Sequence, residues 1–257
     1  AMIVARGEVY LFGDKTGEAW YNAGLSPFPF AERPEGFFQT GIAATYSLSK
    51  FAGALAWLGR TEAGNPAVYM MEGYTPVQIS TPAVEWAIQQ YDDAVGVEDA
   101  IGWSYDRNGH KFYVLTFPTS NRTWVYDATT RKWHERGYWD TATADFLEYR
   151  PIFHAHCFNR NLVLDSDGFR VYSLSDTTYT DVNGDILRRV RRGPHIASGN
   201  KRIILKSLEL EAERGVGQTS GQGADPQVGL QLSRNGGFTW GASRMRTMGA
   251  IGEYDTR

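Results

Sequence analysis

Residues 103–133 carry the strongest structural signal in the sequence, and they read WSYDRNGHKFYVLTFPTSNRTWVYDATTRKW. Short runs rich in aromatic and β-branched residues, which suit a pleated and half-buried surface, alternate here with turn sequences. The dipeptide Asn108-Gly109 tolerates positive φ, and residues 118–121 supply a second turn. The stretch therefore predicts one four-stranded antiparallel unit of about 35 residues.

The last turn of this unit, residues 126–133, resembles the turn of kelch-type propellers. In such a turn an Asp and a Thr fold back on local backbone N–H groups, and a Trp on the next strand packs over them. Asp127 and Trp133 occupy these positions.

Similar hairpins recur along the chain. The apolar anchors Val9, Leu55, Phe112, Leu162 and Leu205 are between about 43 and 57 residues apart, and a period near 50 is typical of kelch-like blades. We therefore predict an all-β fold, a β-propeller with about four blades in residues 1–200. Residues 201–257, with a strand at 203–212, a polar linker and a β-hairpin, form a C-terminal β extension. A β-sandwich is the alternative that the same strand signals allow.

One short helix is predicted at residues 82–91. Thr81 can cap it and Pro82 suits its first turn, while Val84, Ile88 and Tyr91 fall on one face.

Composition excludes several classes of protein. The net charge of −3 argues against an electrostatic DNA binder, and the single cysteine excludes an internal disulfide and a cysteine-based zinc site. Aromatic residues at 14 % and 28 glycines fit many short strands joined by tight turns. No apolar run of 18 residues is present.

Three motifs could hold a metal ion, but each has a simpler interpretation. His154 and His156 share one strand face, yet no acidic third ligand lies nearby in sequence. Asp165, Asp167 and residues 181–185 resemble the start of calcium loops but lack the later oxygen ligands and the closing Glu. We interpret the two histidines as ordinary strand residues and the two Asp motifs as hairpin turns, and we expect no cofactor and no metal.

Residues 233–240, SRNGGFTW, resemble the Asp-box of sialidase-type propellers, with Asn235 in the place of the Asp. In that family the box is a turn remote from the catalytic centre, so it favours β architecture and not hydrolysis. Paired carboxylates, phosphate loops and nucleophile-elbow motifs are absent from the sequence, and we expect no enzyme. A carbohydrate-binding or glycosidase-like propeller is the alternative function.

Two segments are candidate interfaces. An aromatic and proline-containing loop at residues 24–41 is too long for a simple hairpin, so it packs down or meets a partner. A basic run at residues 188–192 fits a protected edge strand or a protein interface better than direct DNA contact, which stays open. The interface candidates are Phe28, Phe30, Phe37, Phe38, Arg188, Arg189, Arg191 and Arg192.

Four stretches together resemble the packaged-DNA stabilisation proteins of short-tailed bacteriophages, which are tail accessory or tail-hub proteins. They are VYLFGDKTGEAWYNAG with SPFPF soon after it, EGYTPVQISTPAVEWAI, GHKFYVLTFPTSNRTWVYD and QVGLQLSRNGGFTW. Their order and joint spacing run from about residue 8 to about residue 240.

The resemblance implies a structural component of the virion tail, made in the cytoplasm of the bacterial host and without enzymatic activity. It implies a cyclic oligomer, a hexamer, that helps to close the portal channel and retain packaged DNA by joining the portal adaptor to the tail needle. It also implies relatives that continue beyond both ends of this chain, so we expect a fragment whose propeller lacks one or more blades. A free-standing kelch-type interaction module would explain the turn at residues 126–133 but not the other stretches.

Overall fold

The computed structural model of the chain describes residues 1–185, 187–199, 201 and 203–254. Contacts divide the chain into two compact units, residues 1–175 and residues 176–257. The predicted domain division between residues 200 and 201 falls inside the second unit and stays a prediction. In the described ranges, no helix is long and apolar enough to cross a membrane.

The first unit consists of antiparallel sheets in which strands adjacent in sequence lie side by side. Three of them, within the fully described residues 1–175, have four strands. Blade 1 contains β1 (Met2–Ala5), β2 (Glu8–Phe12), β3 (Gly17–Asn22) and β4 (Phe30–Glu32). Blade 2 contains β5 (Ser49–Phe51), β6 (Ala54–Arg60), β7 (Pro66–Glu72) and β8 (Thr75–Gln78). Blade 3 contains β9 (Ile101–Arg107), β10 (His110–Phe117), β11 (Arg122–Asp127) and β12 (Lys132–Arg136).

A short hairpin of β13 (Tyr138–Asp140) and β14 (Asp145–Leu147) follows blade 3. Blade 4 then has three strands, β15 (Pro151–Cys157), β16 (Arg160–Asp165) and β17 (Val171–Ser173). The anchors predicted from the period of the sequence are confirmed in these blades: Val9, Leu55, Phe112 and Leu162 each lie in the second strand of a blade.

The blades pack face to face in chain order, which is the arrangement of a β-propeller and not of a two-layer sandwich. Tyr10 and Phe12 of blade 1 pack against Leu55 and Trp57 of blade 2. The opposite face of blade 2 packs against blade 3, and blade 3 packs against Val163 of blade 4. At the blade ends, β9 lies beside both β5 and β15.

Burial along each strand follows from this order. The central residues of β6 are all buried, because blade 2 is covered on both faces. In β2 buried and half-buried residues alternate, because blade 1 has one covered face. The strand β16 of blade 4 also mixes buried with half-buried residues.

The predicted turns are confirmed in blade 3. Asn108 and Gly109 have φ of 51° and 78°, the left-handed pair that a two-residue hairpin needs. The strands that they join are paired from His110↔Arg107 to Thr116↔Ile101.

The predicted helix is also confirmed and is longer than expected, since α1 spans Pro82–Val95. Val84 and Ile88 are buried in the core between blades 2 and 3. Thr81 is the N-cap residue, but its side chain makes no capping hydrogen bond.

The second unit contains 3-10 turns at Val182–Gly184 and Gln222–Ala224 and a hairpin of β18 (Gln227–Leu230) and β19 (Arg244–Thr247). The strand predicted at residues 203–212 is wrong: these residues form no regular element and pair with no described strand. A strand needs a partner for its backbone N–H and C=O groups, and alternating apolar residues do not supply one. Residues 239–240 lie in the turn that follows β18.

Candidate protein-interaction surfaces

The aromatic segment at residues 24–41 separates into exposed and buried parts. Phe30 belongs to β4, so this part of the predicted loop is a strand. Phe28 and Phe37 are 59 % and 52 % exposed, whereas Phe38 is 5 % exposed. Only part of the segment is therefore available to a partner.

Phe28 and Phe30 lie over the outer face of blade 1, the face turned away from blade 2. The Phe28 ring is 5.8 Å from the Phe30 ring and 6.2 Å from the Trp20 ring, measured between centroids. The pairs Val4↔Val9 and Val9↔Trp20 place apolar side chains next to one another on this face. We call this surface face 1; its apolar members are Met2, Val4, Val9, Leu11, Trp20 and Phe30, and Phe28 rests on it.

Phe38 is a core residue. Its ring lies 5.5 Å from Phe12 and 6.1 Å from Trp57, between blades 1 and 2. Its backbone exchanges two hydrogen bonds of 2.9 Å with Gly17, and a Cβ at Gly17 would come within 2.3 Å of the Phe38 ring. Glycine at position 17 is thus required for this close approach.

A buried carboxylate ties blade 1 to blade 2 beside this core. Glu8 of β2 accepts hydrogen bonds from the guanidinium of Arg33 and, at 2.9 Å, from the hydroxyl of Tyr74 in the β7–β8 turn. Burial raises the pKa of Glu8, but the hydrogen bonds from Arg33 and Tyr74 and the Arg33 charge outweigh it, so the pKa is lowered. Glu8 is therefore held charged between the two blades.

The basic run of Arg188, Arg189, Arg191 and Arg192 is exposed and forms no regular strand. The Arg192 guanidinium lies over the Trp240 ring, 5.8 Å from its centroid, which ties the run to the turn after β18. The edge-strand interpretation is wrong for these residues, because no described strand pairs with them.

A cleft of about 540 Å³ opens where the ends of blades 2, 3 and 4 meet. It is lined by Lys50, Lys111, His154 and His156 among others. The two imidazoles, which sequence analysis weighed as metal ligands, donate N–H groups to the same Asn161 side-chain oxygen, at 3.0 and 3.1 Å. They hold one another in place through this amide, as a structural pair.

Comparison with known protein families decides the identity of the chain. Residues 1–179 match a family model described as the β-propeller of bacteriophage P22 Gp10, and residues 188–257 match its β-sandwich.

The chain belongs to the bacteriophage P22 Gp10 family.

Membership makes the chain a phage tail structural protein of the short-tailed bacteriophages. No curated protein matches it significantly. The Gp10 propeller region coincides with the first unit and its stacked blades, and the Gp10 sandwich region lies in the second unit. The predicted C-terminal β extension is thus β in class, and the family describes it as a sandwich.

The Gp10 propeller region contains the Asp turns that the sequence suggested. Asp127 accepts hydrogen bonds from the Thr129 N–H at 2.9 Å and the Thr130 hydroxyl at 2.7 Å, and Trp133 packs on Tyr126. Thus the kelch-type turn is confirmed.

The hairpin β13–β14 repeats this arrangement with residues that the sequence analysis did not single out. Asp140 accepts from the backbone N–H groups of Ala142 and Thr143, and Trp139 packs on Phe146. The signal was available: an Asp with a Thr three residues later and an aromatic six residues later occurs at both places.

The calcium-like motifs are turns. Asp165 forms a bidentate pair with Arg150 at 2.7 and 2.6 Å and accepts from the Gly168 N–H. Asp181 accepts from the Val182 N–H at 2.7 Å at the start of a 3-10 turn. Over the part of the chain that the structure describes, no group of three His, Cys, Asp or Glu side chains is placed to hold a metal ion.

The Asp-box-like segment of the Gp10 sandwich region is also a turn. The Asn235 side-chain oxygen accepts from the Thr239 N–H at 2.9 Å, and its amide nitrogen donates to the Thr239 hydroxyl at 2.8 Å. The side chain that could define a carbohydrate motif is thus engaged within its own loop, and the turn gives the carbohydrate hypothesis no support.

Proposed function

We propose that this chain is a passive closure element of a phage tail, which helps to seal the portal channel and retain packaged DNA by joining the portal adaptor to the tail needle in a ring of six copies. The observation that carries the proposal is the way in which the blades of this family member are fastened to one another. A seal that resists pressure from packaged DNA needs a body whose parts do not slide.

Each contact between neighbouring blades combines a buried apolar core with a polar bond that crosses it. Between blades 1 and 2, the Tyr74 hydroxyl donates to the buried Glu8 carboxylate at 2.9 Å. Between blades 2 and 3, Trp133 donates its indole N–H to the Ile79 carbonyl at 2.8 Å. Between blades 3 and 4, the Thr123 hydroxyl accepts from the Tyr149 N–H, just before β15, at 3.0 Å.

These crossing bonds oppose sliding because a buried or half-buried donor or acceptor would lose its partner if the blades shifted. A buried polar group without a partner costs about 1–3 kcal/mol. Apolar packing alone resists separation but is less directional. The contacts between the blades therefore favour a rigid scaffold, which a mechanical role requires.

Reconstitution tests the proposal. The 257-residue chain is mixed with the portal adaptor and the tail needle of the same phage, and assemblies are measured by mass photometry and negative-stain microscopy. We expect a ring that binds both proteins. Circular dichroism checks that the chain is folded. If the folded chain binds neither protein, the proposed position in the tail is refuted.

A DNA-retention assay tests the closure itself. Particles filled with DNA but lacking this protein are incubated with the chain, and nuclease-sensitive DNA is measured over time. We expect the chain to protect the packaged DNA, and unchanged leakage would refute closure even if the ring forms.

The same assay decides whether the basic run contacts DNA. The first variant carries Ser in place of Arg188, Arg189, Arg191 and Arg192. It is compared with a control variant in which Arg244 and Arg246 of β19 are changed in the same way. Phosphate contacts would make retention by the unmodified chain depend on salt, with a weaker salt dependence in the first variant alone.

A further inference from the structure

The cleft where blades 2, 3 and 4 meet is formed by parts of the blades that do not pack against one another. Blades of a propeller stack through the faces of their sheets, so the turns and strand ends of each blade stay open between neighbours. The first strands of the three blades, β5, β9 and β15, lie side by side, and the cleft opens at their ends. Its opening is therefore a property of the blade ends and not of an uncovered sheet face.

The walls of the cleft are held together by hydrogen bonds between blades. The Ser104 hydroxyl of β9 donates to the Lys50 carbonyl of β5 at 2.6 Å. The Asn161 side-chain nitrogen of blade 4 donates to the Asp106 carbonyl of blade 3 at 3.3 Å, and the oxygen of the same amide accepts from the two histidines. These polar groups are thus used between the walls themselves, so the cleft is formed before a ligand binds, which lowers the cost of ordering.

The ammonium groups of Lys50 and Lys111 are the cations that these bonds leave over. Lys50 comes from β5 of blade 2 and Lys111 from β10 of blade 3, and both are exposed. Within the fully described residues 1–175, neither lysine takes part in an ion pair. The lining contains one carboxylate, Asp106, which lies opposite Lys111 in the strand pairing. Two lysines against one carboxylate leave the cleft positive in a chain whose net charge is −3.

The shape and the charge of the cleft fit a short acidic segment of a protein better than nucleic acid or a single small anion. Its volume of about 540 Å³ lies in the range of ligand-binding clefts, about 300–1,000 Å³, and is larger than one carboxylate or phosphate group needs. A DNA duplex is bound by a row of cations along its phosphates, whereas two lysines converge in the cleft. An extended peptide with neighbouring Asp or Glu side chains can present a carboxylate to each lysine.

We propose that this cleft is a docking site for an acidic segment of a partner protein, whose carboxylates pair with the ammonium groups of Lys50 and Lys111. The segment binds at the blade ends and leaves the packing between blades undisturbed. The docking site goes beyond the proposed closure role, because it depends only on the chemistry of blades 2, 3 and 4.

Synthetic peptides test the charge preference of the cleft in the full chain. The probe peptide alternates Asp with Gly, and two control peptides of equal length alternate Asn or Lys with Gly. Fluorescence anisotropy of the labelled peptides measures their binding. We expect the Asp peptide alone to bind, and its affinity should fall as salt rises because ions screen exposed charge pairs.

Matched variants locate the binding. The cleft variant carries Lys50→Gln and Lys111→Gln, and a control variant of equal net charge carries Lys15→Gln and Lys132→Gln, at exposed positions outside the cleft. Because exposed ion pairs are individually weak, we expect the cleft variant to bind the Asp peptide about tenfold more weakly, and the control variant to bind it like the unmodified chain. Charge reversal, with Lys50→Glu and Lys111→Glu, should abolish binding of the Asp peptide and create binding of the Lys peptide.

Carbodiimide cross-linking provides a second readout. The reagent joins a carboxylate to an amine that it contacts, and mass spectrometry of the digested product identifies the lysine. We expect the Asp peptide to couple to Lys50 and Lys111 and not to Lys15 or Lys132. Circular dichroism checks that every variant is folded.

The other outcomes overturn the docking site. Equal affinity of the cleft variant and the control variant for the Asp peptide would place the peptide elsewhere, and equal binding of the Asn peptide would remove the role of charge. An unmodified chain that does not bind the Asp peptide at millimolar concentration would also refute the site. A labelled DNA oligonucleotide that binds more tightly than the Asp peptide, and loses affinity in the cleft variant, would assign the cleft to nucleic acid. The reconstitution with adaptor and needle proteins tests the position in the tail separately, so either proposal can fail without the other.

Discussion

Phe37 and Phe38 provide a direct test of the packing between blades 1 and 2, because the sequence treats these neighbours alike and the structure does not. Phe38 is 5 % exposed and contacts Phe12 and Trp57, whereas Phe37 is 52 % exposed. Changing each to Ala removes the same atoms from two different environments.

The expected loss follows from the cavity that each change leaves. Truncation of a buried Phe costs about 3–5 kcal/mol. Phe38 lies on a loop joined to β3 through one backbone pair with Gly17, so the loop can relax into part of the cavity. We therefore expect about 3 kcal/mol for Phe38→Ala, which lowers the melting temperature of a unit of this size by about 6–12 °C. For Phe37→Ala we expect a change within about 0.5 kcal/mol.

Urea denaturation followed by tryptophan fluorescence measures both variants, since Trp57 is a neighbour of Phe38. The two variants should have similar slopes and different midpoints. Equal midpoints, or a larger loss for Phe37→Ala, would refute the assignment of Phe38 to the core between the blades.

Three further predictions concern single polar contacts. The Arg150 hydrogen bonds keep the pKa of Asp165 below its ordinary value, so this stabilisation is present above about pH 4 and is lost as the pH falls through the lowered pKa. Thermal melts should show that the melting temperature of Asp165→Asn falls less steeply with decreasing pH than that of the unmodified chain. An equally steep fall would contradict the role of the Arg150–Asp165 pair. Trp133→Phe keeps an aromatic side chain but loses the indole N–H that bonds to blade 2 and part of the indole packing surface, so urea unfolding should show a loss of at least about 1–2 kcal/mol, whereas an unchanged midpoint would contradict the crossing bond. Asn235→Ala should increase amide exchange at Thr239, while Asn235→Asp should keep it protected because a carboxylate also accepts from this N–H; equal exchange in both would contradict the turn.

Local chemistry made much of the first unit predictable. Turns such as Asn108-Gly109 and the one that begins at Asp127 depend on the φ preferences and short-range hydrogen bonds of a few adjacent residues. The helix α1 was predictable for the same reason, from Pro82 at its start and the spacing of Val84 and Ile88. Weakly patterned elements such as the hairpin β13–β14 were not predicted.

The candidate interfaces were less predictable, since exposure depends on which blade lies opposite. The segment at residues 24–41 contains Phe28, Phe37 and Phe38, which are the same residue type. Of these three, only Phe38 contacts the Trp57 ring of blade 2. The residues of face 1 outside this loop, such as Val9 and Leu11, look like ordinary strand residues until the sheet order shows that no described blade covers them.

The sequence by itself determined where the hairpins of the first unit lie and that a period near 50 residues relates them, because turn formation and strand preference act over a few neighbouring residues. Only the tertiary structure decided which faces of those hairpins are covered, which aromatic rings are core, and that residues 203–212 form no strand. Burial and strand pairing are contacts between distant parts of the chain, so a local pattern can satisfy the requirements for a strand without having a partner.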